Sequence, residues 1–152
     1  MKKFFNYTLL ITLCSLLFLG CGENSQANSV EIEEEKILNT IKIFVGDKKF
    51  SARLEDNPSA RAFEKMLPLE VEMNELNGNE KYFYLDKDLP SNAERVGKIH
   101  AGDLMLFGSN CVVIFYKDFS TSYSYTRLGK LENSSGLDKI LGAGNVSVKF
   151  EE

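Results

Sequence analysis

Between Ile41 and Phe150, apolar residues recur at every second position in one short segment after another, a spacing that sends alternate side chains to opposite faces of an extended strand. Ile41, Ile43 and Val45 share one face, Gly46-Asp47 supplies a turn, and Phe50, Ala52 and Leu54 carry the pattern back, so a hairpin is predicted. Leu69, Val71 and Met73 alternate with Glu70, Glu72 and Asn74, which gives a strand with one buried and one wet face. Asn77-Gly78 then turns the chain into the aromatic run "KYFYL". Nearly every residue from Leu104 to Phe107 and from Cys111 to Tyr116 is apolar, and Gly108, Ser109 and Asn110 join the two runs. Those strands are expected to be buried on both faces. Val146, Val148 and Phe150 form the last strand of the sequence.

Two short helices interrupt the strands. Asn57-Pro58 offers a cap and a first-turn proline, Ala62, Phe63, Met66 and Leu67 form an apolar stripe, and Pro68 ends the element. Ser135 is expected to cap "GLDKILG", with Leu137, Ile140 and Leu141 inward and Gly142 as the stop. Strands dominate, and closing them on one another removes the exposed edges that such a chain must otherwise protect. The fold class predicted is mainly β: a small closed barrel with one or two short capping helices.

The first residues carry a different signal. Lys2 and Lys3 precede an apolar run ending at Gly20-Cys21, the layout of a secretory leader. A helix over residues 7–20 reaches about 21 Å at ~1.5 Å per residue, short of the roughly 30 Å a bilayer core requires. Phe18-Leu19-Gly20-Cys21 resembles the lipobox of bacterial lipoproteins, in which the cysteine is acylated and becomes the first mature residue. The expected organisation is a signal peptide over 1–20, lipidation at Cys21, a solvated tether over 21–36 that is poor in apolar residues, and a single domain over 37–152. The expected location is the bacterial cell envelope, anchored by lipid. Gly22 stands where an aspartate commonly retains lipoproteins in the inner membrane, which favours the outer one.

Charge and cysteine usage narrow the function classes. The chain carries a net charge of −4, and loss of Lys2 and Lys3 with the leader makes it −6, which argues against a nucleic-acid partner. Cys14 leaves with the leader and Cys21 is the lipid carrier, so Cys111, within "CVVIFY", is left as a buried small apolar residue. His100 is the only histidine, no clustered ligand spacing accompanies it, and no metal or cofactor is expected. Two carboxylate pairs stand close in sequence: Glu70 and Glu72 read as the wet face of a strand, Asp86 and Asp88 as a loop.

The stretch Phe119 to Gly129, "FSTSYSYTRLG", places Tyr123, Tyr125 and Arg127 on one face and Ser124, Thr126 and Leu128 on the other, with Gly129 at a bend or close approach. Such tyrosines either pack across a barrel with their hydroxyls reaching water or line a groove for a peptide or an anionic small molecule, where an arginine fork suits a carboxylate. Arg61, Tyr84, His100, Tyr123, Tyr125 and Arg127 are the candidate groove residues.

The order of hairpin, "NPSARAFEKMLPLEVEM", "YFYLDKDLP", "GKIHAGDLMLFG", "CVVIFYKDFSTSYSYTRLGKL" and "GLDKILGAGNVSVKFE" resembles the bacterial cyclophilin-like fold proteins from about Ile41 to Phe150. That resemblance implies a small cyclophilin-like barrel. It raises prolyl isomerisation as an activity, in which a cationic donor near the prolyl nitrogen weakens amide resonance and lowers a barrier of ~18–20 kcal/mol. Of the four arginines, Arg53, Arg61, Arg95 and Arg127, none sits in the cyclophilins' Phe-His-Arg context, and the chain has no tryptophan. No catalytic residue carries over, and no nucleophile elbow or triad partner for His100 is present. The function expected is therefore a membrane-tethered ligand- or peptide-binding module, with peptidyl-prolyl isomerase of exported chains as the alternative.

Overall fold

The long strands form where the alternation places them and build a sheet that closes on itself; three two-residue strands that the alternation did not mark are added to them. The computed structural model describes residues 40–152; the expected signal peptide over 1–20, the expected lipidation at Cys21 and the expected tether over 21–36 lie outside the described residues. In chain order the strands are β1 (Thr40–Val45), β2 (Lys48–Leu54), β3 (Leu69–Leu76), β4 (Glu80–Tyr84), β5 (Glu94–Arg95), β6 (Lys98–Ile99), β7 (Asp103–Phe107), β8 (Cys111–Phe115), β9 (Phe119–Ser120), β10 (Ser124–Leu131) and β11 (Val146–Glu151). Two helices, α1 (Pro58–Glu64) and α2 (Leu137–Leu141), complete the set. Hydrogen bonding runs β2-β1-β11-β3-β4-β8-β7-β10, and β10 pairs back onto β2, giving a closed antiparallel barrel of eight strands. Every barrel strand finds both neighbours within residues 40–152.

Two turns follow from the residues at them. Val45 pairs with Lys48 across a two-residue loop in which Gly46 takes a φ of +57°, the left-handed geometry that the first position of a tight hairpin turn demands. Asn77 and Gly78, with φ of +56° and +67°, make the corresponding turn between β3 and β4. Inward positions supply the core: Ile41, Ile43, Ala52, Met73, Phe83, Leu104, Leu106, Ile114, Leu128, Val148 and Phe150 are all buried in one cluster.

The barrel closes at Gly129. Its backbone lies opposite Leu54, and a β-carbon there would stand 2.4 Å from the carbonyl oxygen of Arg53. Immediately before it the β10–β7 register slips, leaving Leu128 as the extra residue of a bulge that turns β10 toward β2. The close approach expected at this glycine is thus the seam itself.

The helices cap opposite ends. Asn57 caps α1 as expected, its side-chain oxygen accepting from the Ala60 N–H at 2.8 Å, while its amide donates to the Arg127 carbonyl at 2.8 Å. Phe63 then plugs the barrel edge-on to Phe150, with ring centroids 5.5 Å apart. At α2 the sequence reading needs correction. Ser135 is exposed and makes no cap; Gly136 holds the N-cap position in the left-handed region with φ of +72°, and no side chain bonds there. An L residue is disfavoured in that conformation, so the turn selects glycine over a hydroxyl cap. Gly142 does end the helix, with φ of +51°.

Beneath α2 lies a residue whose role the sequence did not disclose. Lys81 points into the barrel with no exposed surface, and its ammonium donates to Glu75, to the Gly142 carbonyl at 2.8 Å and to the Gly144 carbonyl at 2.5 Å. Three donors meet three acceptors, so the buried charge is fully satisfied. Tyr116 donates to both oxygens of Glu75, at 2.8 and 2.9 Å. Burial works to raise the Glu75 carboxyl, but the bonds from Lys81, Tyr116 and the Gly78 N–H outweigh it and hold the group below the usual carboxylate range.

Gly129→Ala tests the seam. The φ of Gly129 is ordinary, so the whole cost is steric, and the substitution is expected to lower the unfolding free energy by about 3 kcal/mol. A urea midpoint equal to that of the parent protein would rule out the close approach.

Candidate functional site

Strands β4, β8, β7 and β10 are adjacent, and many of their outward positions are apolar. Ile99, Met105, Cys111, Val113, Phe115 and Tyr125 form a second cluster on the outside of the barrel, separate from the core. The excursions that carry β5, β6 and β9 cover part of it, with Val96 and Phe119 packed against it. Both-face burial of β7 and β8, expected from their apolar runs, comes from this arrangement.

The covering stops short of the β4 side and leaves a groove of about 290 Å³. Its floor is Cys111 and Val113 of β8. Register places Tyr84, Cys111 and Phe107 in one row across three strands, with Tyr82, Val113 and Met105 in the next. Tyr82 and Tyr84 form one wall, edge to face at 5.8 Å. Phe107 forms the other, with Tyr123 at 6.0 Å and Tyr125 at 5.6 Å between ring centroids. Leu76, Asn77 and Glu80 close one end. Among the described residues, four large hydrophobic side chains remain exposed: Tyr84 at 65%, Tyr123 at 63%, Phe107 at 45% and Leu76 at 42%. All four line this groove.

Burial shifts three of its titratable groups, Glu80, Cys111 and Tyr125, toward their protonated forms. Burial pushes the Cys111 thiol up to about 11, and burial followed by the Glu80 charge pushes the Tyr125 hydroxyl up to about 12. Glu80, 9% exposed, has its carboxyl raised by burial first and by the neighbouring Glu75 second. Among the described residues no side chain bonds to or pairs with the Glu80 carboxylate, and no Lys, Arg or His lines the groove. Cys111 is buried as expected, and its protonated thiol serves as floor, not as a nucleophile.

The six candidate residues separate. Tyr84, Tyr123 and Tyr125 come together in this groove. Arg127 is exposed and lines a neighbouring cleft of about 250 Å³, which shares Tyr125 and is bordered by Asn57, Ser59, Pro90 and Glu94. That cleft opens where the β10 edge is left between β5, which pairs with Ser124 and Tyr125, and β2, which begins pairing at Gly129. Arg61 lines neither; it is exposed and pairs with Asp56. His100 follows β6, with its Nδ1 3.2 Å from Asp118 Oδ2, away from both. The cationic half of the expected groove is therefore displaced from the aromatic half. Glu80, Tyr82, Phe107 and Leu76 were missed. Parity could have found Glu80 and Tyr82, since they alternate with the inward Lys81 and Phe83 and share the face of Tyr84.

Over residues 43–151 the sequence matches the family described as the cyclophilin-like family. Among solved structures, that of a hypothetical protein from Archaeoglobus fulgidus, determined in solution, is similar with a TM-score of 0.51 and 21% identity, over 74% of this chain and 92% of that one. At that identity the likeness is one of fold. No curated protein matches the chain.

The two buried hydroxyls predict an alkaline limit to stability. Burial and then Glu75 push Tyr116 up to about 12, as burial does Tyr125, against an ordinary tyrosine value of about 10. The unfolded chain releases these protons first, so their contribution is whole below about pH 10 and is lost as pH rises toward about 12. Urea midpoints followed from pH 8 to 12 should fall over that window, and less steeply in Tyr125→Phe.

Proposed function

Because the chain belongs to the cyclophilin-like family, whose match takes in every residue of the groove, we propose that it is a binding module whose groove between β4 and β10 receives an apolar segment of a peptide. The observation that carries this is the gathering of all four exposed large hydrophobic side chains in one concave site, where scattered single exposures would need no explanation. Exposed aromatic walls over a neutral apolar floor suit a side chain that leaves water, and paired aromatic rings hold one another in place for it.

Prolyl isomerisation remains the second reading because Arg127 lies in the adjoining cleft, across the shared Tyr125. A peptide running from groove to cleft would bring its backbone toward that guanidinium, the donor such chemistry requires. The groove itself offers no cationic donor.

The same reading places the domain on a membrane of the bacterial envelope, through acyl chains on Cys21 and the tether over 21–36. Lys2, Lys3, the apolar run and Gly20-Cys21 support it, and Gly22 favours the outer membrane.

Titration of the barrel domain with Xaa-Pro peptides, followed by NMR, separates the two activities. Shifts at Tyr82, Tyr84, Phe107 and Tyr123 without accelerated cis–trans exchange are expected, with affinity about tenfold weaker in Tyr84→Ala and in Tyr123→Ala. Catalysed exchange that disappears in Arg127→Ala would establish the isomerase instead. For the anchor, metabolic labelling with radioactive palmitate is expected to mark the full chain and to be lost in Cys21→Ser; labelling that persists would refute lipidation at that residue.

A further inference from the structure

We propose that the groove selects a basic side chain, the ammonium or guanidinium of a lysine or arginine within the bound peptide, by setting it between the aromatic walls and the Glu80 carboxylate. This rests on the peptide-binding reading above and names what the site prefers.

Two independent features converge on it. The first is the ring content: Tyr82, Tyr84, Phe107, Tyr123 and Tyr125 surround the groove, and a π face carries negative charge toward a cation set over it. The second is Glu80. Glu80 is nine-tenths buried as a residue and lines the groove; its carboxylate oxygens keep contact with water and have no hydrogen-bond or ion-pair partner among the described residues. The adjacent Lys81 does not serve it, because alternation sends Lys81 into the barrel, where Glu75 and two carbonyls take all three of its donors. A partly desolvated carboxylate without a protein partner is open to a ligand cation, which would pair with it. Burial and Glu75 raise the Glu80 carboxyl, and a seated cation would draw it back toward the charged form.

Charge sign also narrows the occupant. With no Lys, Arg or His in the lining, an anionic ligand would meet aromatic faces and Glu80 with nothing to neutralise it. The sequence alone admitted a peptide or an anionic small molecule beside Arg127; that guanidinium instead lines the adjoining cleft. A lysine or arginine fits the geometry in another way as well. Its aliphatic stem would lie on Cys111 and Val113 while the charged head reaches the Glu80 end.

The test uses the barrel domain and three acetylated, amidated peptides, Gly-Phe-Lys-Phe-Gly and its norleucine and glutamate counterparts, with affinities read by NMR titration. The lysine peptide is expected to bind about tenfold tighter than the norleucine peptide, and the glutamate peptide weakest. Glu80→Gln should bring the lysine and norleucine peptides to within about threefold of each other. Tyr84→Ala, at an exposed position where folding is not at risk, should weaken both peptides. Equal affinities for lysine and norleucine in the parent protein, with shifts in the groove, would overturn the cation preference and leave the binding reading standing. No shifts in the groove from any of the three would overturn both.

Discussion

The seam between β10 and β2 is the constraint on which the rest of the barrel depends. An antiparallel sheet of this length has two edges, and the chain removes both by bringing the Gly129 backbone against Arg53 and Leu54. Only a residue without a β-carbon permits that approach, and the Leu128 bulge supplies the turn toward it. Closure then determines what is inside. Once β10 meets β2, the inward positions of all eight strands face one volume, and Phe63 and the Lys81 network stop its two ends.

The groove is a consequence of strands that are apolar on both faces. Alternation alone would give β7, β8 and β10 a wet outer surface, yet Met105, Cys111, Val113, Phe115 and Tyr125 all face outward and are buried. The short β5, β6 and β9 pieces shelter part of that surface. Where they end, the rings of Tyr84, Phe107 and Tyr123 are left against water. Incomplete cover over a continuous apolar face thus produces a concave site on a rigid wall, and the closed barrel behind it keeps the rings in register. A site built on paired strands holds its geometry better than one built on loops.

Much of this was legible in the sequence. Period two gave the hairpins, the doubly buried β7 and β8, the inward core and the close approach at Gly129. Asn57 announced the first helix correctly because a side-chain cap is a local device that a few residues encode. The second helix start was misread since Ser135 and Gly136 compete for the same role, and only the backbone path shows that a left-handed residue is needed there. The site was legible in part. Tyr84, Tyr123 and Tyr125 were identified by type, but their separation from Arg61, His100 and Arg127 depends on which strands neighbour which, and no local pattern encodes that order. Lys81 reads as a surface lysine until Glu75, Gly142 and Gly144 are brought around it from three parts of the chain.

The division between inward and outward positions also explains why likeness of fold leaves function open in this barrel. Inward residues and the seam glycine determine closure, and the archaeal structure shares the fold at 21% identity. Outward residues on β4, β7, β8 and β10 lie away from the core. With Tyr123 just before β10, they place five aromatic rings and one carboxylate without a side-chain partner side by side, whereas the guanidinium that prolyl chemistry requires stands one cleft away. On the binding reading proposed above, function in such a barrel rests on a few outward side chains over one apolar face, and Glu80 is the one charge among those that line the groove.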